Sequence, residues 1–278
     1  MRSILLTTDF SENSKFAITY ALNLLADVPC NFYILHVVKS SMFISDKLLQ
    51  SQPTDSIYQE LIANAKTDLE SFISDLKGSY DNTLHSYYSI VDYDNLVAAI
   101  NQTITNFNIS LIVTGTKGVT NMAKAVFGSN TLRVFQRCQV PVLAVPYNCP
   151  IKPVNKAVFT TSYNSAYKDA DLKMLRTLAT DLQFQVEVLH IGTEAMLNAE
   201  QKKHQQLITT LLKPTPHAFV FSEGAPFLKT VLEYVQDNDI DLFSMVRKQY
   251  SFLEHVFWDH KTEQVANNMK VPYLMLAN

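Results

Sequence analysis

The chain repeats itself, and that constrains its fold more than any other feature. The segment Ser3-Ile4-Leu5-Leu6-Thr7-Thr8-Asp9-Phe10 recurs as Lys156-Ala157-Val158-Phe159-Thr160-Thr161-Ser162-Tyr163. Both copies read as a short apolar strand ending in Thr-Thr. Further on, Tyr33-Ile34-Leu35-His36-Val37 recurs as Glu187-Val188-Leu189-His190-Ile191. From Tyr87 to Val145 the first half superposes without a gap on Ala218 to Leu276, and Val140-Pro141-Val142 meets Val271-Pro272-Tyr273 near the ends. Self-similarity of this kind means two copies of one supersecondary plan. The polar, proline-bearing stretch 147–153 reads as the linker, which gives domains at 1–147 and 154–278.

Each half alternates strand-length apolar runs with helical stripes. In the first half the runs fall near 3–8, 32–38, 109–114 and 142–146, with a weaker one at 84–91. Ala17, Tyr20, Ala21 and Leu24 keep the i, i+3, i+4, i+7 spacing of one helix, and Leu96, Ile100 and Ile104 that of another. The second half answers with Leu175, Leu178, Ala179 and Leu182, then Leu228, Val231, Leu232 and Val235. Strands that alternate with helices imply an α/β fold, a parallel sheet covered on both faces. Such sheets take ligands at the carboxyl ends of their strands, at the switch point of the strand order. Candidate site residues are therefore Thr7, Thr8 and Asp9 after the first strand, Val37 after the second, and Thr114 onward after the fourth.

The glycines point to the same place. The chain of 278 residues has only 6, where ordinary usage gives about 19. Three of them, Gly115, Gly118 and Gly128, fall at the fourth strand's end. Gly115 and Gly118 permit positive φ and close backbone approach. Gly128 and Ser129 stand where the next helix starts, with free N–H groups and a positive dipole end. Together they suit an anion such as phosphate, with Ser129 as hydroxyl donor and Lys117 and Lys124 as nearby charge. The alternative is that the glycines only turn the chain and Ser129 only caps a helix.

Composition removes other classes. With 47% hydrophobic and 18% charged residues the chain can bury a large core. A net charge of −3 leaves no electrostatic footprint for nucleic acid or anionic membrane. No run approaches a membrane span, and Thr7, Thr8 and Asp9 cut the first apolar run short of a signal-peptide core. Cys30, Cys138 and Cys149 form no CxxC pair, so a reduced, cytoplasmic setting is expected.

On these residues the sequence resembles the universal stress protein family in its tandem two-domain form. The residues that carry the likeness are Thr8-Asp9-Phe10-Ser11-Glu12, Leu35-His36-Val37, the spacing G-x2-G-x9-G-[ST] met by Gly115, Gly118, Gly128 and Ser129, and the closing Val140-Pro141-Val142-Leu143-Ala144-Val145. The resemblance implies two Rossmann-like domains, each a five-stranded sheet. In the family's nucleotide-binding branch such a domain holds ATP or AMP, with or without Mg²⁺. Asp9 and Val37 would then flank adenine and ribose. Gly115, Gly118, Gly128 and Ser129 would line the phosphates, with Asn130 close by. Final strands of this kind pair across dimers in the family. Here the two copies would pair with each other as an intrachain pseudo-dimer, with further homodimers open.

The second half fails the motif. Val246, Gln249, Asp259 and His260 stand where the first half has Gly115, Gly118, Gly128 and Ser129, and Ser162 replaces Asp9. Valine resists positive φ, and an aspartate would repel phosphate. One adenine nucleotide per chain is expected, in the first half.

Other residues read as scaffold. His36 and His190 sit in strands, and a structural role is expected for both. His255, Asp259 and His260 lack zinc spacing. Asp92 and Asp94 suit either Mg²⁺ beside phosphate or the cap of the following helix. Phe16, Tyr20, Phe32, Tyr33, Trp258 and Tyr273 are expected in the core and between the halves. No nucleophile elbow or Walker A loop is present. The expected function is thus a cytoplasmic stress-response protein that binds ATP or AMP without dedicated catalytic residues, slow hydrolysis being the most the resemblance allows. Its rivals are a scaffold module of the same fold and, third, an enzyme acting on an adenylated substrate.

Overall fold

The computed structural model describes residues 1–38, 54–93, 95–116, 127–247 and 270–278. Its elements follow the repeat. The first half holds β1 (Arg2–Thr8), α1 (Glu12–Leu24), β2 (Cys30–Val37), α2 (Thr54–Ser79), β3 (His85–Asp92), α3 (Leu96–Phe107), β4 (Leu111–Gly115), α4 (Ser129–Arg137) and β5 (Val142–Val145). The second holds β6 (Lys156–Thr160), α5 (Asp169–Leu182), β7 (Gln185–Ile191), α6 (Ala199–Leu211), β8 (His217–Ser222), α7 (Phe227–Asp237), β9 (Leu242–Val246) and β10 (Tyr273–Leu276).

The ten strands among the described residues form one sheet in the order β3-β2-β1-β4-β5-β10-β9-β6-β7-β8. Every pair is parallel except the central one. There β5 and β10 run antiparallel, with Ala144 opposite Tyr273, Leu143 opposite Leu274 and Val142 opposite Met275. The repeated final strands therefore pair with each other, as the sequence led us to expect.

Each face of the sheet carries one apolar layer that runs through both halves. Ile4 and Leu6 of β1, Leu143 and Val145 of β5, and Leu274 and Leu276 of β10 point toward α1, α2, α5 and α6. Leu5, Val142, Ala144, Tyr273 and Met275 point the other way, toward α3, α4 and α7. This is the period-2 alternation of a sheet buried on both sides. Full burial of each such side chain contributes about 1.5–3 kcal/mol.

Local signals start the helices. Ser11 caps α1 by accepting from the Ser14 amide at 3.2 Å, and Ala17, Ile18, Tyr20 and Ala21 form its buried stripe. The cap of α3 is Asn95, which accepts from the Val97 amide at 3.0 Å. Asp92 does not cap that helix; its carboxylate accepts from the Tyr93 amide at 2.7 Å, and Asp94 lies outside the described residues. An Asx side chain can bond its own local backbone in a turn as readily as a helix end. Trp258 also falls outside the described residues, while Phe32, Tyr20 and Tyr273 are buried.

Candidate functional site

The strand register opens a crevice. β1 pairs with β4 only from Ile4–Leu111 to Leu6–Val113. Beyond that point Thr7 and Thr8 pair with Leu35 and His36 of β2, while Thr114 and Gly115 pair with Ala144 and Val145 of β5. The two central strands thus part company, and the helices that follow them leave toward opposite faces. This is the switch point, and Thr7, Thr8, Asp9, Thr114 and Gly115 stand around it. Val37, at the end of β2, is the next residue after Thr8's neighbour His36.

On the β1 side a tight turn fixes Asp9. Thr8 Oγ1 accepts from the Phe10 amide at 3.0 Å and lies 3.1 Å from Ser14 Oγ. Asp9 Oδ1 accepts from the Ser11 amide at 3.2 Å and from Ser11 Oγ at 2.5 Å. Phe10 adopts φ of 60°, a left-handed conformation that costs a bulky residue about 1–3 kcal/mol. Its ring packs on His36, centroids 4.6 Å apart, and His36 Nδ1 bonds Thr8 O at 2.9 Å. That bond gives His36 the structural role expected of it.

On the β4 side a second set of bonds ties α4 to the strand end. The Gly128 amide donates to Thr116 O at 2.6 Å, and Thr131 Oγ1 donates to Gly115 O at 2.9 Å and lies 3.2 Å from Thr116 O. Gly128 is the N-cap of α4 and offers no side chain to its first-turn amides; that turn also contains no acidic residue. Ser129 and Asn130 are the first two helical residues, and both are exposed. Ser129 therefore follows the cap position. The positive end of α4 points out beside the crevice with no carboxylate of its own helix to neutralise it.

Gly115 is needed for a different reason from the one its sequence suggests. Its φ is ordinary, and it sits in β4. A Cβ there would lie 2.8 Å from Asn13 Oδ1 and 3.2 Å from Asn13 O. The glycine admits the first turn of α1 against the strand end, so the requirement is close approach rather than positive φ. Among the described residues that follow β1 and β6, the aromatic Phe10 and Tyr163 take positive φ, and nothing in the sequence marks them. Asn13, Thr116 and Thr131 also went unmarked, and none carries a motif. Gly118, Lys117 and Lys124 lie outside the described residues.

The second half repeats the crevice and fills it differently. β6 pairs with β9 from Ala157–Leu242 to Phe159–Ser244, after which Thr160 pairs with β7 alone and Met245 and Val246 with β10. Thr161 Oγ1 accepts from the Tyr163 amide at 3.1 Å, and His190 Nδ1 bonds Thr161 O at 3.0 Å. Here α6 reaches over the strand end. Gln201 Nε2 donates to Ser162 O at 3.1 Å and His204 Nδ1 bonds Tyr163 O at 2.7 Å. Val246 occupies the place of Gly115 and is completely buried. Gln249, Asp259, His260 and His255 lie outside the described residues. Among the described residues no cluster of His, Cys, Asp or Glu could hold a metal, and no helix is long and apolar enough to cross a membrane.

The model of the universal stress protein family matches residues 1–146. The chain belongs to that family. Among solved structures, a universal stress protein from Archaeoglobus fulgidus DSM 4304 matches with TM-score 0.71 and 16% identity over 99% of this chain and 98% of its own. A functionally unknown protein from Pseudomonas aeruginosa PAO1 matches with TM-score 0.57 and 13% identity over 99% and 92%. The cytoplasmic domain of a prokaryotic cation chloride cotransporter matches with TM-score 0.52 and 9% identity over 100% and 95%. At these identities the likeness shows the fold alone. No curated protein matches the chain.

Proposed function

We propose that this universal stress protein binds one adenine nucleotide, ATP or AMP with or without Mg²⁺, in the crevice of its first half. In this reading residues 1–147 form the binding domain and residues 154–278 a partner that has lost the phosphate cradle. The observation that carries it is the uncapped, acid-free N-terminus of α4, tied by Gly128 and Thr131 to the strand end where β1 and β4 separate. Backbone amides and helix dipole there suit phosphate oxygens, and Asp9 and Val37 lie on the adjoining strand ends for the nucleoside. Thr7, Thr8, Thr114, Gly115, Ser129 and Asn130 complete the lining, with Gly118 assigned from its spacing. Such a protein would act in the cytoplasm as a stress-response component whose bound nucleotide is a signal.

Equilibrium dialysis with ATP, ADP and AMP tests this, with an expected stoichiometry of one. At about 100 times Kd, binding adds about 2.7 kcal/mol of stability, which raises Tm by several degrees at roughly 2–4 °C per kcal/mol. Two nucleotides per chain would remove the assignment of the second half as an empty partner. No binding and no thermal shift with any of the three would leave a scaffold of the same fold.

A further inference from the structure

Helix α4 belongs to the first half in sequence, yet the second half contacts the residues that flank it at both ends. Past its C-terminus, Arg247 Nη1 donates to Cys138 O, the C-cap carbonyl of α4, at 2.5 Å. The same guanidinium lies 3.4 Å from Asn278 Oδ1 and 3.4 Å from Asn278 O, so it bridges α4 to the residues after β10. Before its N-terminus, Phe127 is buried and directly precedes the Gly128 cap. The Phe127 ring packs edge-on against Phe135 of α4, at 5.2 Å, and against Tyr273 of β10, at 4.8 Å. Tyr273 in turn meets Phe243 of β9 at 5.7 Å.

The two contacts follow from the repeat. Arg247 comes directly after β9, as Thr116 comes directly after β4. Thr116 holds the N-terminal end of α4 through its carbonyl, and Arg247 holds the C-terminal end through its guanidinium. The position that holds the start of α4 in one half serves in the other as a clamp on the end of the same helix. A helix of only nine residues has little stability of its own, so its placement is set by such contacts. A cation at the last carbonyls also favours the helix dipole.

We infer that the second half positions the anion-binding helix of the first, with Arg247 and Tyr273 as positioning residues acting on α4 from its two ends. The inference rests on the nucleotide reading for its effect on affinity, but the brace itself can be tested without a ligand. Apparent affinity scales with the fraction of molecules whose α4 is correctly placed. Loosening the brace therefore weakens binding without touching any residue of the crevice.

The test uses the full chain with Arg247→Met, Arg247→Lys and Tyr273→Leu. It reads amide hydrogen exchange across residues 129–137, with α1 as internal control, and the Kd for ATP by calorimetry. Arg247→Met should speed exchange in α4 while α1 is unchanged, and weaken ATP binding about tenfold, with Arg247→Lys in between. Tyr273→Leu should speed exchange most at the N-terminal turn. Unchanged exchange in α4 for both Arg247→Met and Tyr273→Leu overturns the brace. Faster exchange with an unchanged Kd overturns its influence on binding. If the unmodified chain binds no adenine nucleotide, the functional reading fails, and exchange in α4 still decides whether the second half positions that helix. Should Arg247→Met not fold, Arg247→Lys and Tyr273→Leu carry the same comparison.

Discussion

The two halves act as a control for each other. After β1 and after β6 the same construction appears: a threonine hydroxyl accepts the amide two residues on, an aromatic residue takes positive φ, and a histidine bonds the threonine carbonyl. These features occur in both halves, in the one that keeps the glycine spacing and in the one that lacks it. They therefore build the strand end and do not define the ligand site. The differences lie a few ångströms away. Gly115 faces Asn13 where Val246 is sealed in the core, and Asp9 is replaced by Ser162, whose carbonyl is covered by Gln201. What differs between the copies marks the candidate site better than what they share.

The largest expected effect concerns the thiols, which all lie in the first half and linker. Cys30, Cys138 and Cys149 are buried, and burial pushes their pKa values up to about 11, 12 and 12. At pH 8 the thiolate fraction is then about one part in a thousand or less. Disulfide-exchange labelling of the folded chain should be slower than that of the unfolded chain by at least about a thousandfold. Because the sheet and both apolar layers run through the centre, labelling in urea should rise together with the loss of overall structure. Labelling that runs ahead of the circular dichroism change would mean that the first half opens alone.

Exchanging the residues that differ sharpens the contrast. Gly115→Val, which installs the residue of the second half, drives its side chain into Asn13 and displaces the first turn of α1. Overpacking of this kind costs about 1–3 kcal/mol, and nucleotide affinity should fall by about 100-fold or more. The converse Val246→Ala removes buried methyl groups and should cost about 2 kcal/mol of stability. It should leave nucleotide affinity within about twofold. A Gly115→Val chain that binds ATP normally would separate the crevice from the site.

A smaller effect is expected for Asp9→Ser. The carboxylate accepts from the Ser11 amide at 3.2 Å and from Ser11 Oγ at 2.5 Å, whereas Ser162 Oγ accepts from the Asn164 amide at 3.5 Å. Affinity should drop about tenfold, and Ser162→Asp should not add a second binding event. Calorimetry on both variants distinguishes a ligand contact by Asp9 from a purely local turn, in which stability changes and affinity does not.

Much of this arrangement could be read in advance from the residues. The repeat register maps β4 onto β9 and β5 onto β10 residue for residue, and β3 onto β8 to within one residue at each end, because buried strands admit little besides the alternation of apolar side chains. The pairing of Val142–Val145 with Tyr273–Leu276 is an expectation of the family resemblance applied to the repeated final strand. Local backbone detail was less legible. Gly115 advertises positive φ and has none, while Phe10 and Tyr163, whose type argues against it, have it. A glycine's purpose depends on what approaches it, and Asn13 is distant in sequence. The cap of α3 shows the same limit, since Asp92 and Asn95 are chemically alike and only the turn decides between them. Arg247 carries no motif, and its contact with Cys138 O joins residues 109 positions apart in the chain.

The smallest effect separates the halves by pH. In the second half, Arg176 on α5 donates to Asp169 Oδ1 at 2.6 Å and to Leu211 O, at the end of α6, at 2.6 Å. The hydrogen bond from Arg176 holds the Asp169 carboxyl below its ordinary value. A group whose folded pKa is depressed stabilises the native state above its unfolded pKa and loses that contribution as pH falls through the folded value. The window is therefore acidic, below about pH 4, and an exposed carboxylate keeps the effect slight because solvent screens it. Urea midpoints of the unmodified chain and of Asp169→Asn should converge as pH falls from 5 to 2. Arg176→Met should lower the midpoint more than Asp169→Asn at pH 7, because the Leu211 carbonyl loses its partner as well. Equal effects of the two variants at pH 7 would mean that the bond to Asp169, and not the tie between α5 and α6, is what Arg176 contributes.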